Sequence, residues 1–294
     1  LKPSIDGRDG WRAERGWALV SVLWVVFILA LLAAATQALA ITSWRTENHA
    51  LTAAKAEMDL DAAIVRAIAA IRDPSAQQRW PVNGTPQTFT FNGAAITVRV
   101  QDELGRIDLN MADQSLLRQL LIAAGMSADD AAAQTDKILD WRSQSDLHRL
   151  HGANQADYLA AGYAYHPRHG PFQTVQELKL VMGMTPELFA KLEPALTVYN
   201  HSSSVDASVA PRPVLLALNN NNFDRVDDIL RQRQTLVAEG GAMQTGIIGP
   251  GVSLAGRSFA IDAELTLAGK HFRREVVAEL TDDNKRPYLI LHWQ

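Results

Sequence analysis

The feature that most constrains this chain is a long stretch without charge. No charged residue occurs from Trp17 to Trp44, and from Trp17 to Ala35 the only polar side chain is Ser21. About 20 apolar residues suffice for a helix to cross ~30 Å of hydrocarbon. The helical pattern continues past this stretch. Leu51, Ala54, Met58, Ala62, Val65 and Ala69 recur at spacings of three and four, which predicts one apolar stripe packed on a sheet. Glu47, Lys55, Glu57, Asp59, Asp61 and Arg66 fill the other faces. No Pro or Gly interrupts the chain from Trp17 to Arg72, and Asp73-Pro74 then ends the pattern. The reading is a single helix over 17–72, about 84 Å long at ~1.5 Å per residue. Its first half lies in lipid and its second half is amphipathic.

Composition removes several function classes. The chain has 294 residues, a net charge of −4 and no Cys. Thiol catalysis, Cys-ligated zinc and a disulfide scaffold are excluded. The negative balance argues against broad nucleic-acid binding. At roughly 150 residues per domain, the length suggests about two domains.

Residues 1–16 carry Lys2, Arg8, Arg12 and Arg15 against Asp6, Asp9 and Glu14. This bias predicts a cytoplasmic N-terminus, with the chain crossing outward. A plain single-pass anchor is one reading. A cleaved secretory signal is another, since Ala38-Leu39-Ala40 has the small-x-small form, but the apolar run exceeds the usual h-region of about 7–15 residues. A third reading uses more residues. A charged leader ending at Gly16, an apolar helix directly after it and a long amphipathic continuation resemble the prepilin class. The resemblance implies a leader of residues 1–16, cut after Gly16 by a dedicated membrane peptidase, and a transmembrane part over 17–40. Trp17 becomes the new N-terminus, and methylation of it is expected. Two positions depart from the common pattern. The first mature residue is usually Phe or Met, and the fifth, usually Glu, is Ser21. In the class that Glu pairs with the free amine of a neighbouring subunit. A lone carboxylate in lipid costs a few kcal/mol unless paired, and a subunit with none above it does not need one.

Beyond Pro86, Phe89 and Phe91 alternate with Thr88 and Thr90, Asn92-Gly93 forms a two-residue hairpin turn, and Ile96, Val98 and Val100 line the return strand. Strand patterns then vanish until 258–267, 271–280 and 288–293, with turns at Ala268-Gly269 and 282–286. A lone hairpin is marginal in water. The economical fold is α+β: an antiparallel pilin-like sheet, built from 41–101 and 246–294, packs on the long N-terminal helix. Residues 102–245 form a large all-α insertion, with two subdomains split near 202–206. Two consecutive domains are the alternative.

The insertion opens with Asp102-Glu103-Leu104-Gly105-Arg106-Ile107-Asp108-Leu109-Asn110. Helices are expected at 115–124 and 128–143, the second carrying Asp140-Trp141-Arg142. A polar loop through Gly152 to Tyr158 follows, then Val175 to Met184 and a helix at 187–192. A second module restarts near Val205 and leads to a helix at 224–238. This order resembles the large minor pseudopilin, the K-type component, of type II secretion systems. The matching runs are 103–110, 138–142, 152–158, 175–184 and 205–218, and that family also lacks the fifth-position Glu. The resemblance implies a pilin-like sheet split by an insertion of SAM-like or helix-hairpin-helix-like form. It implies a structural subunit rather than an enzyme, capping the pseudopilus tip and assisting export of folded proteins. Its partners would be the other minor pseudopilins, the prepilin peptidase, the inner-membrane secretion platform and lipid. Its place would be the inner membrane, single-pass, with the bulk of the chain in the periplasm.

The same resemblance implies calcium in the insertion. Asp140, Asp146 and Asp157 are the matching carboxylates, with neutral Ser143, Ser145, Asn154 and Gln155 where the family has further acids. Calcium takes six to eight oxygen ligands, several of them charged. The other reading has these groups capping helices and bonding the loop. His148 with His151, and His166 with His169, have a ligand-like spacing but sit in loops rich in Arg, Pro and Gly, and read as loop histidines. No Gly-x-Ser-x-Gly and no phosphate loop with Lys occurs. The stretch from Val175 to Leu196 resembles half of a helix-hairpin-helix, which some proteins set against DNA. Residues 102–245 carry 12 Lys+Arg against 18 Asp+Glu, so no nucleic-acid partner is expected. Two other functions fit parts of the pattern: a membrane-anchored envelope binding module resembling DNA-uptake proteins, and a type IV minor pilin.

Overall fold

The computed structural model describes residues 13–73, 75, 78–145, 147–238 and 253–294. In chain order the elements are α1 (Ala13–Ile71), β1 (Gln87–Phe91), β2 (Ala94–Asp102), β3 (Ile107–Asp108), α2 (Gln114–Ala123), α3 (Ala128–Arg142), α4 (Gln155–Ala160), α5 (Pro186–Leu192), β4 (Leu196–Thr197), α6 (Arg212–Leu218), α7 (Phe223–Ala238), β5 (Ser258–Leu267), β6 (Lys270–Leu280) and β7 (Tyr288–Trp293). Short 3-10 turns occupy Glu103–Gly105, Val175–Leu180 and Glu193–Ala195. The chain divides into two compact units, Leu1–Ala56 and Glu57–Gln294.

The first unit is helical from Ala13 onward, so α1 starts three residues ahead of Gly16 rather than after it. From Trp17 to Leu32 the large apolar side chains are 50–82% exposed. Trp24 and Phe27 meet edge to face at 6.0 Å. Among the described residues no helix is long and apolar enough to cross a membrane. The greater part of the expected leader lies outside the described residues.

In the second unit, the last turns of α1 cross a five-stranded antiparallel sheet of order β1-β2-β5-β6-β7. Both tight hairpins are closed by residue pairs in the left-handed region: Asn92 and Gly93 at φ 47° and 82°, Ala268 and Gly269 at 51° and 75°. Two successive positive φ values give the turn whose twist suits antiparallel strands. The central pairing joins distant parts of the chain, with Ile96 opposite Leu265 and Val100 opposite Ile261. Ile96, Val98, Val100, Ile261, Ala263 and Val276 are all 0–1% exposed and form the buried face of the sheet.

The stripe of α1 that meets this face is not the expected one. Leu60, Ala63, Ile64, Ala67, Ile68 and Ile71 are buried, whereas Met58 and Val65 are 65% and 53% exposed. Both sets satisfy the same helical spacing. The buried set contains four branched aliphatic side chains and removes more apolar area from water, which decides the rotation of the helix. The turn of the helix also buries Asp59, read from the sequence as solvated; it accepts a bond from Asn92 Nδ2 at 2.7 Å. Arg274 of β6 reaches Asp61, Arg72 donates to the carbonyls of Pro287 at 2.6 Å and Thr281 at 3.2 Å, and Arg66 lies 4.0 Å over the ring of Phe89. The helix is thus fastened at both edges of the sheet.

Everything from β3 to α7 lies in sequence between β2 and β5. It has its own core, continuous from Ile107 to Val226, with Leu117, Leu121, Ile138, Trp141, Phe172 and Leu215 among its members. Side-chain caps fix the helix starts: Asp113 for α2, Ser127 for α3, Asn154 for α4 and Thr185 for α5. β3 and β4 form a two-residue parallel pair that closes the block, Ile107 opposite Leu196 and Asp108 opposite Thr197. Neither that pair nor α4 and α6 was expected as an element. Expected and observed ends of α2, α3, α5, α7 and β6 differ by one residue.

Candidate functional site

The sequence motifs converge on the junction between the sheet and the helical block. β2 ends in Asp102, which is fully buried and paired with Arg257. Asp102 also accepts from Leu104 N at 2.9 Å, capping the turn that leaves the sheet. Glu103 is buried too and meets Arg106 at 3.0 Å. Burial pushes both carboxyls up, outweighing the lowering by Arg257 at Asp102 and by Arg106 at Glu103. Gly105 is there because a Cβ would meet the Val209 carbonyl oxygen at 2.7 Å. Gln101 Nε2 donates to that same carbonyl at 2.9 Å. Asp108 accepts from Asn110 N at 2.7 Å and from His201 N at 3.0 Å, and Asn110 exchanges two bonds with the backbone of Phe172. The acidic-Gly-basic opening and its Asn turn are therefore fasteners that fix the helical block on the sheet.

A cavity of about 310 Å³ opens beside this junction, lined by Glu103, Arg106, Lys179, Tyr199, Arg273 and Glu275 among others. Several of its charges are paired, Glu103 with Arg106 among them. Arg273 binds Asp262 at 2.7 Å and Glu275 at 3.3 Å, and Arg99 on the same sheet face binds Glu264 at 2.7 Å. The arrangement holds surfaces together.

The aspartate-tryptophan end of α3 anchors the block's aromatic centre. Trp141 stacks on Phe172 at 6.3 Å and meets Tyr158 and Tyr165 at 6.0 and 6.5 Å. Its Nε1 donates to Glu177 at 3.0 Å. Tyr158 accepts from Met182 N at 2.8 Å, and burial pushes its hydroxyl up to about 12. Gly183, at φ 85°, packs against Gln134 of α3, so the hairpin-like segment is turned onto its own core.

Two of the three expected calcium ligands have partners within the block. Asp140 is paired with Arg149, Asp157 sits in the capping box of α4 with Asn154, and Asp146 lies outside the described residues. Among the described residues there is no group of three or more His, Asp or Glu placed to hold a metal ion. His148, His166 and His169 each turn Nδ1 to a backbone carbonyl. At the other end of the chain, Gly16 and Trp17 are consecutive residues of α1, Trp17 is 82% exposed, and Ser21 Oγ donates to the Trp17 carbonyl at 3.0 Å.

Residues 97–201 match the family model described as type II secretion system (T2SS), protein K. The chain is similar to the type II secretion system protein K of Dickeya chrysanthemi, 29% identical over 125 residues, which cover 40% of this chain and 34% of that protein. It is similar also to the type II secretion system protein K of Klebsiella pneumoniae, 25% identical over 202 residues, 62% of this chain and 61% of that protein. The chain thus spans about a third and about three fifths of the length of these relatives. Its fold resembles a chain of the GspK-GspI-GspJ complex from the enterotoxigenic Escherichia coli type 2 secretion system, with a TM-score of 0.57, 16% identity, and 85% of this chain and 98% of that chain covered. These matches bear out the K-type resemblance and the mixed helix and antiparallel sheet.

Proposed function

We infer that this chain, with a type II secretion system protein K domain over residues 97–201, serves as a minor pseudopilin. The match over that domain is the observation that carries the reading. The charge-free stretch from Trp17 to Trp44 anchors the protein in the inner membrane, and the sheet with its helical block stands in the periplasm. Prepilin peptidase cuts after Gly16, and Trp17 becomes a methylated N-terminus. The protein sits at the pseudopilus tip with counterparts of GspI and GspJ, where it assists assembly on the inner-membrane platform and export of folded proteins. Two features support the tip position. The bulky helical block between β2 and β5 obstructs addition of a further subunit, and Ser21 supplies no carboxylate for one.

Mass spectrometry of the N-terminus, on protein extracted from its native membrane, tests this. A chain starting at Trp17 is expected. A chain keeping residues 1–16, or one starting at Ile41, would overturn it. Ser21→Glu tests the second feature: unchanged tip assembly and secretion would remove that support.

A further inference from the structure

The calcium that the family resemblance implies meets a loop whose oxygens are already engaged. Asp140 is nearly buried, its side chain 5% exposed. Its Oδ1 accepts from Arg149 Nη1 at 2.5 Å and its Oδ2 from Arg149 N at 2.9 Å. The loop wraps so tightly around this carboxylate that a Cβ on Gly152 would meet Asp140 Oδ2 at 1.6 Å. The neighbouring Asp136 accepts from Gln114 Nε2 at 3.1 Å and from His151 N at 3.2 Å. Asp157 accepts from Asn154 N at 2.8 Å, while Asn154 Oδ1 accepts from Ala156 N and Asp157 N. Ser143 Oγ and Ser145 Oγ accept from backbone N–H groups of the same loop. Asp140 and Asp136 thus accept hydrogen bonds through both oxygens, and Asp157, Asn154, Ser143 and Ser145 each accept through one. The local charge points the same way. The Arg142 guanidinium is lowered by burial and then by repulsion from Arg149, so a divalent cation would add charge beside two arginines.

We propose that Arg149 takes the place of a calcium ion in this chain: its guanidinium and amide bind both oxygens of Asp140 and hold the turn from Arg149 to Gly152 on α3 without metal. A hard cation gathers several distant oxygens at once. A guanidinium instead offers fixed donors to one carboxylate and lets the remaining polar groups turn to backbone amides. That division of labour is what the loop shows, and Gly152 is the residue that lets the backbone close over the pair.

The test uses the full chain in detergent. Calorimetric titration with calcium chloride should give no binding heat, and Tm should be the same in millimolar calcium and in excess chelator. Arg149→Gln should lower Tm by roughly 3–6 °C and speed amide hydrogen exchange from Arg149 to Gly152 by about tenfold or more, and Arg149→Lys should recover part of both. Adding Asp140→Asn should make the Arg149→Gln change smaller, because the pair is already broken. A saturable calcium heat with a chelator-reversible rise in Tm would overturn the proposal. So would an Arg149→Gln chain whose loop exchange and Tm match the wild type. If Arg149→Gln does not fold, the wild-type titration and the lysine variant still decide.

Discussion

Two apolar stripes run along the same stretch of α1, and only one of them has found a partner. Leu60, Ile64, Ile68 and Ile71 are 1–4% exposed against the sheet, while Met58 and Val65, on another side of the same turns, are more than half exposed. Periodicity treats the two stripes alike. The volume and branching of the side chains separate them, because apolar area removed from water is what the helix gains by turning one way. Spacing therefore says that a helix is amphipathic, and side-chain size says which way it faces.

Substitutions can test that distinction, the largest effect first. Ile68→Asp places an unpaired carboxylate where 4% of the residue is exposed, and should cost more than about 4 kcal/mol. Loss of near-ultraviolet circular dichroism would register it. Ile64→Ala should cost about 2–5 kcal/mol through lost contact and the cavity left behind, read as a fall in Tm of about 5–15 °C. Arg274→Ala removes the tie from β6 to Asp61 and the cover over the Trp293 ring. Asp61 is 45% exposed, so solvent screening holds the loss to about 1 kcal/mol. Met58→Gln and Val65→Gln should each stay within about 0.5 kcal/mol of the wild type. A loss at Val65 as large as at Ile64 would break the comparison and reveal a covered face.

The same rule applied to charge gives a pH dependence. Glu103 is held above its ordinary value of 4.5 by burial. The folded state therefore binds its proton more tightly than the unfolded state does. Its contribution to stability is largest below the ordinary value and declines as pH rises through the raised one. In Glu103→Gln the decline is absent. The difference in Tm, variant minus wild type, should become more positive between about pH 4.5 and pH 7, as thermal melts across that range would show. A flat difference would mean that Arg106 compensates the buried carboxylate fully.

Much of the fold is legible in the chain because local chemistry dictates it. Asn92-Gly93 marks its hairpin through residues that tolerate positive φ; at Ala268-Gly269 only the glycine does, and Ala268 takes φ 51° against its own preference. The alternation of Ile96, Val98 and Val100 sets which face of β2 is buried. What escaped the sequence depends on tertiary partners. The β3–β4 pair has two residues on each side and exists only because the block brings Ile107 to Leu196. The carboxylates at 140 and 157 carried a metal-like pattern, yet no spacing rule shows that Arg149 would turn back on one and an N-cap would engage the other. Asn154 with Asp157 three residues later is a capping-box signal and could have marked α4. The fasteners at the junction were legible as a family motif, but their role emerges only where Asp102, Arg257 and Val209 meet.

On the side away from β1, the neighbour of β2 in the sheet is β5, and the whole helical block is made between them. That order has a consequence for how the protein comes into being. The helical block draws its core from residues 107–226 alone and can collapse before β5 is made, whereas the central strand pair must wait for residues 258–267. Closing so long a loop adds little to the equilibrium cost, since each doubling of length adds only about 0.6 kcal/mol. It weighs instead on time. Until β5 arrives, β2 is an open edge and Leu60, Ile64 and Ile68 have no sheet to cover them. Strands β5, β6 and β7 are thus the keystone: the amphipathic half of α1, although made early, acquires its shelter only when all three are in place.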